Sequence, residues 1–129
     1  MTVKRVLCPQ RLRRVPPQFS WVDHRLVRDG HIGRCSARAL ALYLFLVTVS
    51  DAEGLSYYAD KTISRLLSMD LTVLSRARQE LIGASLIAYQ RPLYQVLSLD
   101  EVPGDPKRPS QSQPGSLGQI LRQAMDQAK

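Results

Sequence analysis

The residues best suited to chemistry in this chain are polar side chains spaced for one face of a helix. Thr72, Ser75, Arg76 and Gln79 recur at intervals of three and four residues, which brings them together on an α-helix. An arginine can pair with the edge of guanine, a glutamine with adenine, and hydroxyl groups with phosphates. The set is therefore suited to contacting a nucleic acid; the alternative is the ordinary solvated face of an amphipathic helix.

The surrounding pattern predicts the elements that would hold this face outward. A helix from Leu71 to about Gly83 is expected, with Asp70 as its N-cap. A shorter helix, roughly Lys61–Leu67 and capped by Asp60, precedes it across a tight turn, Ser68–Asp70. The residues predicted to face the core from these two helices are Ile63, Leu66, Leu67, Leu74, Ala77 and Leu81, with Met69 tucked in from the turn.

Three further elements complete the predicted core. Ser36 is expected to cap a helix running to about Ser50 that is apolar nearly all round and therefore central and buried. Leu55–Tyr58 is a short strand candidate, in which one of the two tyrosines should be exposed. Leu86–Gln90 and Tyr94–Ser98 resemble strands joined by a tight hairpin turn at Arg91–Leu93. The predicted fold class is mainly α with a small antiparallel β-hairpin, in the order α-β-α-α-β-β.

Residues 62–99, TISRLLSMDLTVLSRARQELIGASLIAYQRPLYQVLSL, resemble the winged helix-turn-helix core of bacterial regulators and of plasmid replication-initiator or primosome-loading proteins. Where those families usually have glycine, this chain has Ser68 and Ser85, at which a left-handed backbone would cost about 1 kcal/mol. Gly83 is a candidate to replace the second glycine.

The resemblance implies a recognition helix that faces DNA and a hairpin wing with Arg91 at its tip. Arg78 lies at the flank of this helix, where either a phosphate or an acidic neighbour is expected. The implied DNA-facing positions are Asp70, Thr72, Val73, Ser75, Arg76 and Gln79. The residues expected to contact the DNA backbone are Lys4, Arg5, Arg11, Arg13, Arg14, Lys61, Arg78 and Arg91.

The positive charge of the chain lies in its first part. The 129 residues carry a net charge of +7, and residues 1–38 hold nine basic and two acidic side chains, a difference of +7, so residues 39–129 are neutral. Residues 1–18 are predicted to be a flexible basic arm that adds affinity for a polyanion, with a solubilising tail as the alternative. The predicted winged-helix domain spans residues 19–99.

A Pro-rich linker is predicted at 100–116 and a short helix at 117–129. The apolar stripe of Leu117–Ala128 is too short to be stable alone, so this helix either folds back on its own domain or, as we favour, forms a homodimer or recruits a partner.

Other classes of function find little support in the sequence. No nucleophile with its base and no clustered carboxylates can be assembled, so we expect no enzyme, no small-molecule substrate and no cofactor. A zinc site could in principle be formed by Cys8, His24, His31 and Cys35. The spacing lacks a closely spaced pair such as Cys-x2-Cys or His-x3-His with matching partners, so we expect no metal. The most apolar run, residues 39–49, is too short to span a bilayer, so no membrane contact is expected.

The sequence therefore predicts a cytoplasmic, nucleoid-associated bacterial protein that binds double-stranded DNA sequence-specifically. It would act as a small regulator or as an origin- or end-recognition factor of a replicon or mobile element. The alternative is a non-enzymatic adaptor, in which the winged helix contacts protein and the basic arm binds RNA or an acidic partner. The apolar Leu71 and Val73 at the start of the recognition helix favour that alternative.

Overall fold

The structure is a computed structural model that describes residues 3–100 of a chain divided into two units, Met1–Val96 and Leu97–Lys129. In the second unit the described residues form a turn, in which the Ser98 hydroxyl donates to the Asp100 carboxylate at 3.0 Å. The predicted helix at 117–129 and the predicted linker beyond residue 100 lie outside the described residues. The first unit contains helices α1 (Arg25–Arg28), α2 (Ala37–Val49), α3 (Asp60–Leu67) and α4 (Leu71–Gly83), strands β1 (Leu55–Tyr57), β2 (Ile87–Gln90) and β3 (Leu93–Val96), and 3-10 helices at Pro9–Arg11 and Ile32–Arg34.

The chain is mainly helical with a small antiparallel sheet, which confirms the predicted fold class. From α2 onward the order is helix, strand, helix, helix, strand, strand, the layout of a winged helix. The sheet has three strands in the order β1-β3-β2, so the predicted hairpin is extended by β1. Leu55 lies opposite Gln95, and Tyr89 lies opposite Tyr94.

Helix α2 forms the centre of this unit. The Ser36 hydroxyl accepts a hydrogen bond from the Ala39 amide at 3.2 Å, which confirms the predicted N-cap. Ala39, Leu42 and Leu46 are fully buried, and α2 packs most extensively against α4. The prediction that α2 is buried nearly all round is wrong, because Leu44 is 61% exposed. One side of the helix faces outward, since the small sheet and the short helix α1 do not surround it.

The turn between α3 and α4 is built by two polar residues. Ser68 ends α3 in the left-handed region (φ 56°, ψ 44°), the conformation for which glycine is usual. The Asp70 carboxylate then accepts a hydrogen bond from the Val73 amide at 2.8 Å and caps α4, as predicted. Met69 is buried between them, also as predicted. Ser85 adopts φ 61° before β2, so it is Ser85 and not Gly83 that takes the second left-handed position.

Two predictions about α3 are wrong. Its N-cap is Ala59, and Asp60 is the first helical residue, whose carboxylate is engaged by a distant arginine instead of by the helix terminus. Leu66 was expected to face the core, but it is 55% exposed, while Ile63 is fully buried. An apolar residue at core spacing stays exposed here because no element within residues 3–100 covers that side of the helix.

The sheet depends on close backbone contacts at its first turn. Gly54 precedes β1 with φ +85°, and a Cβ atom on it would lie 2.6 Å from the Val96 carbonyl oxygen. The Val96 amide donates to the Gly54 carbonyl at 2.8 Å, which ties this turn to the end of β3. Tyr57 is exposed, whereas Tyr58 packs edge-on against Phe45 with ring centroids 5.1 Å apart. The expected division of the two tyrosines is therefore confirmed.

Candidate nucleic-acid interface

The outward face of α4 carries four of the six predicted DNA-facing residues. Thr72, Ser75, Arg76 and Gln79 are all exposed, and their side chains make no hydrogen bond or ion pair among residues 3–100. The opposite face buries Leu74, Ala77 and Leu81, as predicted, because it packs against α2, α3 and β2. The four polar residues form what we call the α4 face; its donors and acceptors are available to an external ligand.

The remaining two predicted positions differ in their surroundings. Asp70 Oδ1 accepts a hydrogen bond from the Val73 amide and so caps the helix terminus, and the residue is exposed. The side chain of Val73 is half-buried. Both residues lie at the N-terminal end of the α4 face, and neither side chain adds a hydrogen-bond donor to it.

Glu80 is the acidic residue nearest in sequence to this face, and the structure turns it toward α2. Its carboxylate accepts hydrogen bonds from the Ser36 backbone amide and the Ser36 hydroxyl, each at 2.8 Å. These two bonds, the backbone one first, hold the pKa of the Glu80 carboxyl below its ordinary value. The Glu80 carboxylate therefore binds the N-terminus of α2. Arg76 has no carboxylate partner on α4.

Arg78 is not available to a phosphate, so its place among the DNA-backbone contacts was wrong. Its side chain is 10% exposed, and Nη1 donates to Asp60 Oδ1 at 2.9 Å and to the Tyr94 hydroxyl at 2.8 Å. The guanidinium also lies 4.4 Å from the ring centroid of Tyr89. Burial alone would lower the pKa of Arg78, but the hydrogen bonds with Asp60 and Tyr94 outweigh it and raise that pKa. Of the two expected partners, the acidic neighbour is the one present.

The other predicted backbone contacts are exposed cations on several elements. Lys61 lies in the first turn of α3, and Arg91 lies in the two-residue turn between β2 and β3. Sequence reasoning missed Arg65, which is exposed four residues after Lys61 and hence on the same side of α3. That four-residue spacing was the signal that could have found it. The predicted arm cations are also all exposed: Lys4, Arg5, Arg11, Arg13 and Arg14.

The alternative of a metal centre gains nothing from the structure. Within residues 3–100 no three His, Cys, Asp or Glu side chains come together in a way that could hold a metal ion. Cys8 is exposed and Cys35 is half-buried, and both are free thiols. His31 Nδ1 lies 2.7 Å from Arg34 Nη2, which is a local contact between the N-cap and the last residue of one 3-10 helix.

Comparisons of the chain with models of protein families, with curated proteins and with solved structures found no match. Among the described residues, no helix combines the length and the apolar character that crossing a membrane requires.

Proposed function

We propose that this protein binds double-stranded DNA sequence-specifically, with α4 in the major groove, and that it is not an enzyme. The observation that carries the proposal is the α4 face, an exposed set of donors and acceptors that form no hydrogen bond or ion pair with any other side chain or backbone group of residues 3–100. We place it in the bacterial cytoplasm, as a small regulator or as the origin- or end-recognition factor of a replicon or mobile element.

Each residue of the α4 face has a chemistry that matches part of a duplex. Arg76 can donate two hydrogen bonds to the O6 and N7 acceptors of guanine, and Gln79 can pair with N6 and N7 of adenine. The hydroxyl groups of Thr72 and Ser75 suit phosphate oxygens, which fix the position of a helix without reading sequence. Arg76 and Gln79 would therefore discriminate between sites.

Affinity that does not depend on sequence is assigned to the exposed cations. Residues 39–129 carry nine basic and nine acidic side chains, so the part of the chain with the α4 face has no net attraction for a polyanion. The excess of seven positive charges lies in residues 1–38, where the arm cations are exposed. Arg91 in the wing and Lys61 on α3 add two further exposed donors for phosphates.

The decisive experiment is selection of DNA from a pool of random duplexes, followed by sequencing of the retained fraction. We expect an enriched motif containing guanine. On that motif, Arg76→Ala should cost about 1–3 kcal/mol of binding free energy and reduce discrimination against random DNA. Arg13→Ala is the matched control, because it removes the same charge from an exposed side chain of the basic arm. This control should weaken binding to cognate and random DNA by the same factor. If Arg76→Ala also weakens both equally, Arg76 does not read bases.

Variants of the basic arm should change the affinity for all DNA sequences and its dependence on salt. Arg13→Ala should weaken binding to all sequences by a similar factor and make the slope of log K against log salt less negative by about one. Titrations at several salt concentrations, with cognate and random duplexes in parallel, measure both effects. A wild-type slope near zero would show that the arm does not contact phosphates.

One observation favours the adaptor as a second candidate function. Leu66 and Leu71, on either side of the turn before α4, are 55% and 52% exposed, and apolar side chains there suit a protein partner better than DNA. The same selection separates the two functions. An enriched motif supports DNA reading, whereas retention without a motif, or preference for RNA over duplex DNA, supports the adaptor.

A further inference from the structure

The side of α2 that faces away from the core forms an apolar groove. It is lined by Leu40, Tyr43, Leu44 and Val47 of α2 and by Val22, Leu26 and Ile32 of the segment that precedes α2. The groove encloses about 150 Å³, and nearly all of its lining atoms are apolar. We call this surface the α2 groove; no described residue fills it.

Apolar side chains also project from the residues that border the α2 groove. Trp21 is 75% exposed and adjoins Val22 in the chain, and Val27 is 72% exposed and adjoins Leu26. The Ser20 hydroxyl donates to the Thr48 carbonyl at 3.2 Å, which holds this segment against the last turn of α2. The surface thus combines a recess with projecting apolar groups, the requirement for a patch that can dock on a copy of itself about a two-fold axis.

The charges near the α2 groove favour a neutral occupant. Asp23 accepts hydrogen bonds from Arg25, with Oδ2 2.7 Å from Nη2, and these bonds lower the pKa of Asp23 to about 2. Arg28 Nε lies 3.8 Å from Asp29 Oδ1. Residues 19–34 hold these two ion pairs and one further cation, Arg34, which contacts His31, so the net charge of this segment is +1. A net charge this small gives a polyanion or a strongly charged peptide little attraction there and does not hold two copies apart.

We propose that the α2 groove is the interface of a homodimer, in which the same surface of a second copy occupies it. Burial of an aromatic side chain removes roughly 150–250 Å² from solvent, so Trp21 alone contributes on the order of 100 Å². With Val22, Val27, Leu44 and the groove lining, the surface reaches several hundred Å² per copy, within range of the roughly 800 Å² of a standard interface. The dimer goes beyond the proposed DNA binding and does not depend on it.

The test is the oligomeric state of the full chain without DNA, measured by sedimentation equilibrium over a range of concentrations. The wild-type chain should be a dimer that dissociates on dilution. Leu44→Asp should weaken the dimer at least about tenfold, because it introduces an unpaired charge at the interface. Leu12→Asp is the matched control, since Leu12 is a similarly exposed leucine that does not line the α2 groove. Its dimer should be as tight as that of the wild type.

Three results would overturn the proposal. One is a wild-type chain that stays monomeric up to about 100 μM, a weaker association than a specific dimer of this size requires. Another is a dimer that Leu44→Asp leaves unchanged. The third is a dimer that is broken by Ile120→Asp and not by Leu44→Asp, which would assign it to the C-terminal segment. If circular dichroism shows that Leu44→Asp does not fold, Val27→Asp takes its place with the same expected loss. None of these results bears on the DNA selection.

Discussion

Arg78 joins three elements through one guanidinium, and its removal tests how the fold is held together. It contacts Asp60 at the start of α3, Tyr94 in β3 and the ring of Tyr89 in β2. The Tyr94 side chain is fully buried, and Arg78 as a whole is 8% exposed. Replacing Arg78 by alanine therefore leaves a buried hydroxyl without its partner and removes the link between α4, α3 and the sheet.

The expected loss can be worked from these surroundings. An orphaned buried hydroxyl costs roughly 1–3 kcal/mol, and loss of a cation–π contact costs about 1 kcal/mol more. Breaking a fully buried ion pair costs about 3–5 kcal/mol, but the Asp60 side chain is 39% exposed and regains water, so this value is an upper bound. We expect Arg78→Ala to lower the free energy of unfolding by about 3 kcal/mol. Arg76→Ala, on the exposed face of the same helix, should change it by less than about 0.5 kcal/mol.

Urea unfolding followed by circular dichroism measures both variants under the same conditions. Tyr94→Phe in the Arg78→Ala background should restore part of the loss, because it removes the orphaned hydroxyl. A loss for Arg78→Ala no larger than that for Arg76→Ala would refute the role assigned to this cluster. No recovery from Tyr94→Phe would refute the share assigned to the buried hydroxyl.

Two further predictions concern backbone strain and pH. Ser68→Gly and Ser85→Gly should each raise the free energy of unfolding by about 1 kcal/mol, since the two serines have left-handed φ values of 56° and 61°. Ser75→Gly, inside α4, is the control and should lower the free energy of unfolding by a similar amount. A loss of stability in Ser68→Gly and Ser85→Gly would contradict the argument. The folded-state pKa of Glu80 is lowered, so its stabilising effect is complete above the ordinary carboxyl pKa of 4.5 and is lost as the pH falls through the lower folded value. Glu80→Gln should therefore show less loss of stability than the wild type on acidification below about pH 5, in urea unfolding at a series of pH values; parallel profiles would contradict this.

The elements could be predicted from the sequence because their determinants are local. Ser36 and Asp70 cap the helices that follow them, and the spacing of Leu74, Ala77 and Leu81 fixed the buried face of α4. The same spacing left the opposite residues outward, which is why the open side chains of the α4 face were also predicted. Caps and helical periodicity act over a few residues, so a single sequence suffices to read them.

What the sequence could not show depends on partners that are distant along the chain. The two hydrogen-bond partners of Arg78 are 18 and 16 residues away, on α3 and β3, and no local pattern links them. Leu44 and Leu66 both have the spacing of core residues, yet both are exposed, because coverage of a helix side depends on neighbouring elements. The α2 groove was missed for the same reason.

The α4 face and the α2 groove lie on different sides of the packed helices α2 and α4. Helix α2 packs against α4, and its fully buried residues are Ala39, Leu42 and Leu46. The α2 groove lies along a different stripe of α2, formed by Leu40, Leu44 and Val47. On a helix with 3.6 residues per turn these sets point in directions roughly 100° or more apart. A second copy in the α2 groove would therefore leave α4 uncovered by that contact, and Leu44→Asp should separate the copies without altering the α4 face. Two copies joined in this way would present two α4 helices to one duplex, so cooperative binding to paired half-sites should be lost in Leu44→Asp while binding to a single half-site remains.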